Sequence, residues 1–328
     1  MKRRVDPASI SIYLTALLAT LFFTYVTLQI PRFLKSLYDG VFDDLCSHFV
    51  YISLHPIAIF GYVILILILI TAVKGIVRKR YYASVLSAVV YFTPTLFVFV
   101  VRMTILFTGL EILVFLTLGI TLRLYGSGQV FLVPYWIAIT AYASEGGDIW
   151  ANIEQVRDVY GSIFIIVGLL VLFLGVAAWL NTKYQGRRLV DSGIYRLTRH
   201  PQYLGYILWS YGMLILSTYN QAPWRTPTAI TLNWLVSSLI LVGVALVEEI
   251  NLRLDDGLNY VEYAVRVSFM FPLPRLVRRI VSAPFRVIWG SDFPENLRMV
   301  FVTLVLVFFM ISLPELILGG LYKFWNPY

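Results

Sequence analysis

The chain contains several long stretches without a charged residue, and these constrain its fold more than any other feature. Two examples run from Pro7 to Pro31 and from Thr226 to Val247. A helix needs about 20 mostly apolar residues to cross the hydrocarbon core of a bilayer, and both stretches are long enough. Charged residues make up only 13% of the chain, whereas soluble domains contain about 25%. We therefore predict an all-α, polytopic integral membrane protein.

About nine segments meet or approach this length. The opening stretch is too long for the core of a signal peptide, so we predict that it is retained as the first span. The fifth segment is short, and only Arg102 separates the third from the fourth. The predicted transmembrane helices are residues 8–30, 49–73, 82–101, 103–122, 129–143, 159–181, 201–219, 228–249 and 299–320.

The charges of the connecting segments predict how these helices cross the membrane. Residues 1–7, 74–80 and 182–200 are net basic, whereas residues 31–48 and 144–158 are net acidic. Basic loops favour the cytoplasmic side, so we expect a cytoplasmic N-terminus and an external C-terminus. The net charge of +8 fits basic cytoplasmic loops beside membrane lipids, and it gives no reason to expect nucleic acid as a partner.

Composition shifts once along the chain, at the polar segment 182–200. We predict an N-terminal transmembrane bundle of unknown role over 1–158 and a functional core over 159–272. Residues 273–328 would form an amphipathic interfacial segment followed by the last transmembrane helix. The single cysteine, Cys46, excludes an internal disulfide and any multi-cysteine metal site, and we predict no metal site.

The first motif is TRHPQYLG, residues 198–205. Pro201 suits the first turn of a helix, which places Arg199 and His200 just before the seventh predicted span. Free backbone amides and the helix dipole favour an anionic group at that position. Tyr203 and Tyr206 follow at a spacing of three and share one face of the helix. Basic residues and tyrosines are also common where a span meets lipid headgroups, so simple interfacial anchoring is an alternative.

The second motif is centred on Glu248 and Glu249, which follow the uncharged eighth span. A carboxylate at the edge of a span is costly unless it is paired or bound to a ligand. Adjacent helical residues point about 100° apart, so at most one of the two is expected to face a given pocket. Alternatively, both point into the loop and pair with Arg253.

A turn and a short helix are predicted to follow this motif. Asp255, Asp256 and Gly257 form a turn signal. In the helix after it, a shared face is predicted for Tyr260, Tyr263 and Val267. Glu262 and Arg266 are spaced i, i+4 in the favourable order, so a surface salt bridge is the simplest interpretation of Arg266.

Taken together, the two motifs resemble the isoprenylcysteine carboxyl methyltransferase family and its prokaryotic relatives. These are integral membrane enzymes that use S-adenosylmethionine. The resemblance covers about residues 160–272. The matching positions are Leu189, Val190, Ser192, Gly193, Tyr195, Arg199, His200, Pro201, Tyr203, Gly205, Glu248, Glu249, Gly257, Tyr260, Glu262, Tyr263, Arg266 and Val267. Ser268 departs from the pattern, since the eukaryotic enzymes usually have proline there, and this leaves the acceptor open.

The resemblance implies a methyltransferase with its catalytic face in the cytoplasm, in the cell membrane of a prokaryote or an ER-type membrane of a eukaryote. The methyl acceptor would be an apolar molecule from the bilayer. A prenylated-protein carboxylate is the best-known acceptor of the family, and in a prokaryote a small lipid, isoprenoid, amine or thiol is an equal alternative. Arg266 would lie near this acceptor as the catalytic residue. Cofactor-binding roles are implied for Tyr195, Arg199, His200, Tyr203, Gly205, Glu248 and Glu249. The sulfonium of the cofactor suits carboxylates and aromatic faces, and its carboxylate suits a helix start.

Two other classes of function remain open at this stage. Membrane sterol reductases, which use NADPH, also carry an RHP-x-Y-x-G segment, although the adjacent glutamates point away from them. A lipid-binding or transport bundle without enzymatic activity is the other possibility. The residue that suggests such a bundle is Glu111, which is ionisable and lies in the middle of a predicted span. A structural pair between Glu111 and Arg102 or Arg123 would explain the same residue.

Overall fold

The computed structural model describes part of the chain. The described residues are 10–22, 24–25, 56–78, 80–88, 129–143, 149–187, 189–217, 228–272, 286, 288–291 and 294–325. Glu111, Arg102 and Arg123 lie outside these residues, as does the predicted span 103–122. Most of the predicted span 82–101 also lies outside them, as does most of residues 274–290, which belong to the predicted amphipathic interfacial segment.

Within these ranges the fold is helical and contains no β-strand, which confirms the predicted all-α class for this part of the chain. Among the described residues, an isolated parallel bridge joins Thr198 and Ser268. The α-helices are α1 (Ile10–Phe22), α2 (Pro56–Val77), α3 (81–88), α4 (Val133–Ala143), α5 (Ile149–Tyr184), α6 (Pro201–Ser217), α7 (Thr228–Arg266) and α8 (Leu297–Trp325). Short 3₁₀ helices cover Gln129–Leu132 and Gly193–Arg196.

Two helical stretches of the described chain are long and apolar enough to cross a membrane. They are Gln155–Tyr184 within α5 and Trp234–Asp255 within α7. Shorter apolar helices occur at Ile10–Phe22, Ile66–Val77 and Leu297–Ser312. These criteria concern length and composition alone, so the number of spans and their orientation stay predictions.

Two helices extend well beyond the apolar segments that predicted them. Helix α5 begins at Ile149, ten residues before the expected start at residue 159. Helix α7 continues past residue 249 to Arg266, with non-helical dihedral angles at Gly257. Hydropathy detects only the part of a helix that suits a bilayer, whereas backbone hydrogen bonds continue through polar residues. The predicted turn at 255–257 corresponds to a kink, because Gly257 adopts a φ of 53° that few other residues tolerate.

The chain divides into two compact units that interleave along the sequence. The first contains Met1–Val26, Ile165–Trp209 and Val242–Thr303, and the second contains Thr27–Phe164, Ser210–Leu241 and Leu304–Tyr328. Both sequence motifs fall within the first unit. In the second unit, the indole of Trp234 donates a hydrogen bond to Ser210, and its ring packs against Phe131 and Tyr211.

Within the first unit, glycines allow α5 and α6 to pack closely. A Cβ atom at Gly205 would lie 2.5 Å from the backbone nitrogen of Leu172 and 2.8 Å from the Gly168 carbonyl oxygen. A Cβ atom at Gly175 would lie 3.2 Å from the backbone nitrogen of Gln202. Such close backbone approach is typical of small residues at helix interfaces in membranes. The first turn of α6 therefore lies against the C-terminal half of α5.

Candidate functional site

Helix α6 begins at Pro201, as the first motif predicts. A backbone hydrogen bond holds the residues that precede this helix: the Arg199 amide donates to the Ser268 carbonyl at 3.0 Å. The parallel bridge between Thr198 and Ser268 lies at the same place. The residues that precede α6 are thus attached to the residues that follow α7, and the two motifs form one site.

The Arg199 side chain is buried at the centre of this site. Its Nε donates to Glu249 Oε1 at 2.6 Å, and its Nη2 donates to Glu249 Oε2 at 3.1 Å. Its Nη1 donates to the carbonyls of Ala264 and Val267. This is the two-pronged geometry in which a guanidinium binds a carboxylate most strongly. Arg199 therefore joins the start of α6 to both parts of the kinked helix α7.

Glu249 receives two further contacts besides Arg199. His200 Nε2 lies 3.2 Å from its Oε1, and Arg253 Nη2 lies 3.6 Å from its Oε2. An ionised carboxylate only accepts hydrogen bonds, so the imidazole Nε2 is the donor in this pair. The Glu249 side chain is only 2% exposed. A buried charge requires compensation of this kind, and both oxygens of Glu249 are already engaged.

The neighbouring carboxylate of Glu248 has a different environment. Its Oε1 accepts a hydrogen bond of 2.7 Å from the Tyr203 hydroxyl. Its Oε2 lies 3.9 Å from His200 Nδ1, which is longer than a hydrogen bond. The side chain is 29% exposed, compared with 2% for Glu249. Glu248 is thus the more accessible of the two carboxylates.

The imidazole of His200 lies between two aromatic rings. Tyr203 stacks on one side with a centroid distance of 5.8 Å and an interplanar angle of 23°. Phe269 packs edge-on with a centroid distance of 5.2 Å. The Arg199 guanidinium also lies 5.8 Å from the Phe269 centroid. These contacts fix the ring orientation and direct Nδ1 toward Glu248 and Nε2 toward Glu249.

The helical segment after Gly257 presents the predicted inner face. Tyr260, Tyr263 and Val267 are buried together. The Tyr263 hydroxyl donates a hydrogen bond of 2.7 Å to the Tyr195 carbonyl oxygen, which connects this face to the 3₁₀ helix before α6. Burial raises the pKa of both phenols, Tyr195 and Tyr263, above the usual value. Both therefore remain protonated, which Tyr263 needs in order to donate.

The structure brings six of the eight predicted site residues together. Tyr195, Arg199, His200, Tyr203, Glu248 and Glu249 are linked by the contacts described above. Gly205 lies in the contact between α5 and α6. Arg266 is 71% exposed and pairs with Glu262 Oε2 at 3.4 Å, which is the surface salt bridge that the i, i+4 spacing predicts.

Phe269 is a site residue that the sequence patterns did not identify. It follows the second motif in a segment without helical periodicity, so neither spacing nor charge distinguishes it from other apolar residues. The nearest signal is Ser268, whose backbone hydrogen-bonds to Arg199. The alternative in which both glutamates point into the loop and pair with Arg253 does not hold for Glu249, which contacts Arg253 at 3.6 Å but is only 2% exposed.

A sequence family described as "Protein of unknown function (DUF1295)" matches residues 119–267 of the chain. The matched stretch contains both motifs and every predicted site residue. No curated protein and no solved structure matches the chain. The match covers both motifs in one continuous stretch, and it assigns no activity to the site.

Proposed function

We propose that the protein is an integral membrane methyltransferase that uses S-adenosylmethionine and acts on a lipophilic acceptor. The observation that carries the proposal is the difference between the two adjacent glutamates. Glu249 is paired with Arg199 and Arg253 and contacts His200, whereas among the described residues no donor lies within hydrogen-bond distance of Oε2 of the partly exposed Glu248. A carboxylate of this kind, beside stacked aromatic rings, suits a cationic ligand group.

The residues present fit S-adenosylmethionine in charge. Glu248 and the ring of Tyr203 would attract the sulfonium, since cations are favoured by carboxylates and by aromatic faces. The backbone amides of the first turn of α6 would donate to the carboxylate of the cofactor. His200, whose ring nitrogens face Glu248 and Glu249, would position these two side chains. When bound, S-adenosylmethionine supplies an electrophilic methyl group. The chain's own residues would bind and orient the two reactants and limit the access of water.

The class of methyl acceptor is proposed from the resemblance described under the sequence analysis. An isoprenylcysteine-type carboxylate, or another lipid or isoprenoid, is the class of acceptor expected. A carboxylate is already a nucleophile and needs orientation rather than a general base. Arg266, as an exposed guanidinium at the end of α7, could supply a two-pronged hold on such a group.

The exposed surface of α5 supports a membrane location. Only 17% of the most apolar window of Gln155–Tyr184 is buried inside the protein. Ile166 is 65% exposed and Leu170 is 53% exposed. Burying apolar surface is worth about 25 cal/mol per Å², so a long apolar helix left in water would carry a large cost. A bilayer removes that cost.

The decisive experiment is equilibrium binding of labelled S-adenosylmethionine to the detergent-purified protein, with NADPH as competitor. We expect saturable binding that NADPH does not displace. Glu248→Gln should weaken binding about tenfold, because a charge-assisted contact is worth about 1.5–3 kcal/mol. Glu262→Gln is the matched control, since it removes an exposed glutamate from the same helix and should leave the dissociation constant unchanged.

Three results would contradict the proposal. The first is an absence of binding to a folded protein, and the second is displacement by NADPH, which would favour a sterol-reductase-like enzyme. The third is equal weakening by Glu248→Gln and Glu262→Gln, which would remove Glu248 from the site. Thermal unfolding of each variant distinguishes lost binding from lost folding.

A further inference from the structure

The helical segment after the kink at Gly257 carries a second apolar face, opposite the buried one. Leu258 is 82% exposed, Val265 is 67% exposed and Val261 is 44% exposed. At 100° per residue these three side chains fall within about 60° of one another on the helix surface. We call Leu258, Val261 and Val265 the outer stripe. Single apolar residues are common on protein surfaces and need no explanation. An aligned set of exposed apolar residues, such as the outer stripe, instead indicates an interaction site.

The outer stripe follows directly after one of the two candidate spans. The segment Trp234–Asp255 leads directly into it through the kink. The start of α6 packs against Gly175 in α5, and Arg199 connects that start to Glu249 and Ser268. The C-terminal ends of α5 and α7 and the N-terminal end of α6 therefore lie at the same end of this unit. In a membrane protein, the ends of the transmembrane helices lie at the boundary between the hydrocarbon core and the lipid headgroups.

The segment before α6 is basic, whereas the helical segment that carries the outer stripe has the exposed acids Asp255 and Glu262 beside Arg266. Lys183, Arg187 and Arg196 are exposed in the segment that connects α5 to α6, together with a single exposed acid, Asp191. Leu197, next to Arg196, is 62% exposed. A combination of exposed apolar side chains and basic residues is typical of segments that bind the surface of anionic membranes.

We propose that the outer stripe is embedded in the headgroup region of an anionic lipid leaflet, with the basic segment before α6 in contact with lipid headgroups. The proposal rests on the membrane location argued above, and it is independent of the methyltransferase chemistry. Its occupant is bilayer lipid, because the stripe continues from an apolar span and because the exposed basic residues Lys183, Arg187 and Arg196 lie at the same end of the unit. Arg266, which is exposed near the end of the same segment, would then lie within reach of headgroups.

Nitroxide labels placed at single positions test the proposal on the full-length protein. The natural cysteine would first be removed as Cys46→Ser, followed by Leu258→Cys or Val265→Cys. The matched control is Asn259→Cys, at an exposed neighbour about 100° away around the helix. The protein is reconstituted in phosphatidylcholine vesicles with and without phosphatidylglycerol. The measurement is the ratio of collision rates with oxygen, which partitions into lipid, and with a water-soluble nickel chelate.

We expect the ratio at Leu258 and Val265 to exceed that at Asn259 by about threefold or more, as for side chains embedded at an interface. It should rise further when phosphatidylglycerol is present. Equal ratios at Leu258 and Asn259 would overturn the proposal. Protection from both reagents at Leu258 would also overturn it, by indicating a protein partner or a second copy. If phosphatidylglycerol leaves the collision-rate ratio unchanged, the proposed contact between the basic segment and anionic headgroups is wrong.

A further label separates this proposal from the membrane location on which it rests. Ile166→Cys lies in the apolar window of α5, where the side chain is 65% exposed. A high oxygen ratio at Ile166 together with a water-like ratio at Leu258 would reject the outer stripe alone. A water-like ratio at both positions would reject the membrane location as well.

Discussion

Two arginine–glutamate pairs in the first unit have similar chemistry and very different surroundings. Arg199 and Glu249 are 50 residues apart in sequence, form two short contacts and are at most 2% exposed. Arg266 and Glu262 are four residues apart, their charged groups approach to 3.4 Å, and both side chains are more than 70% exposed. Arg266 Nε also donates to the backbone carbonyl of Glu262 at 3.2 Å. The buried pair of Arg199 and Glu249 connects distant segments of the site, whereas the pair of Arg266 and Glu262 lies on the surface of one helix.

The energetic consequences of the two pairs follow from their surroundings. Water screens the exposed pair, and such i, i+4 pairs contribute about 0.2–0.5 kcal/mol. In the buried pair, the attraction between the charges offsets a large desolvation cost, so the net contribution of the intact pair is small. Removing only one partner is different, because it leaves an uncompensated charge in the interior. The two pairs are therefore best distinguished by single substitutions.

The largest expected effect is that of Arg199→Ala. This change leaves the Glu249 carboxylate buried, and it removes the donor to the Ala264 and Val267 carbonyls. We expect the free energy of unfolding to fall by about 3–5 kcal/mol. The measurement is the midpoint of thermal unfolding in detergent, with tryptophan fluorescence as the signal that reports unfolding.

The double variant Arg199→Met with Glu249→Leu is its control. Replacing both partners by apolar side chains of similar volume removes the unpaired charge, and it should restore much of the lost stability. If the double variant is as unstable as Arg199→Ala, the destabilisation arises from the lost carbonyl contacts rather than from the uncompensated charge. If Arg199→Ala is as stable as the natural protein, the pair is not buried.

A second substitution tests the connection between the two motifs away from the charges. Tyr263→Phe removes the hydrogen bond to the Tyr195 carbonyl and leaves a buried acceptor without its donor. We expect a loss of about 1–3 kcal/mol of stability. The same unfolding measurement applies, with Tyr184→Phe as the control, because that side chain is 70% exposed. Equal effects of the two changes would show that the Tyr263 hydroxyl does not connect the motifs.

Local patterns predicted the parts of the site that depend on neighbouring residues. Proline chemistry predicted the start of α6 at Pro201, and helical spacing predicted the buried face formed by Tyr260, Tyr263 and Val267. The contact between Glu249 and Arg253 follows from i, i+4 spacing in the same way. Each of these features requires only the geometry of one helix.

Features that depend on contacts between distant segments could not be predicted in the same way. Whether Glu248 or Glu249 would pair with Arg199 depends on how α7 is rotated against α6, and two adjacent residues give no preference. Phe269 reaches His200 only because the Ser268 carbonyl binds the Arg199 amide. The extension of α5 to Ile149 was missed because polar helical residues do not raise hydropathy.

The smallest expected effect is that of Arg266→Ala on stability. The pair with Glu262 is exposed, so we expect a change of less than about 0.5 kcal/mol in the free energy of unfolding. A double-mutant cycle with Glu262→Ala measures the coupling directly, and a coupling above about 1 kcal/mol would contradict the comparison. Because Arg266 contributes so little to the fold, its substitution is also a clean test of function. If Arg266→Ala abolishes methyl transfer while Glu262→Ala does not, the loss reflects a contact with the acceptor rather than a change in the protein's structure.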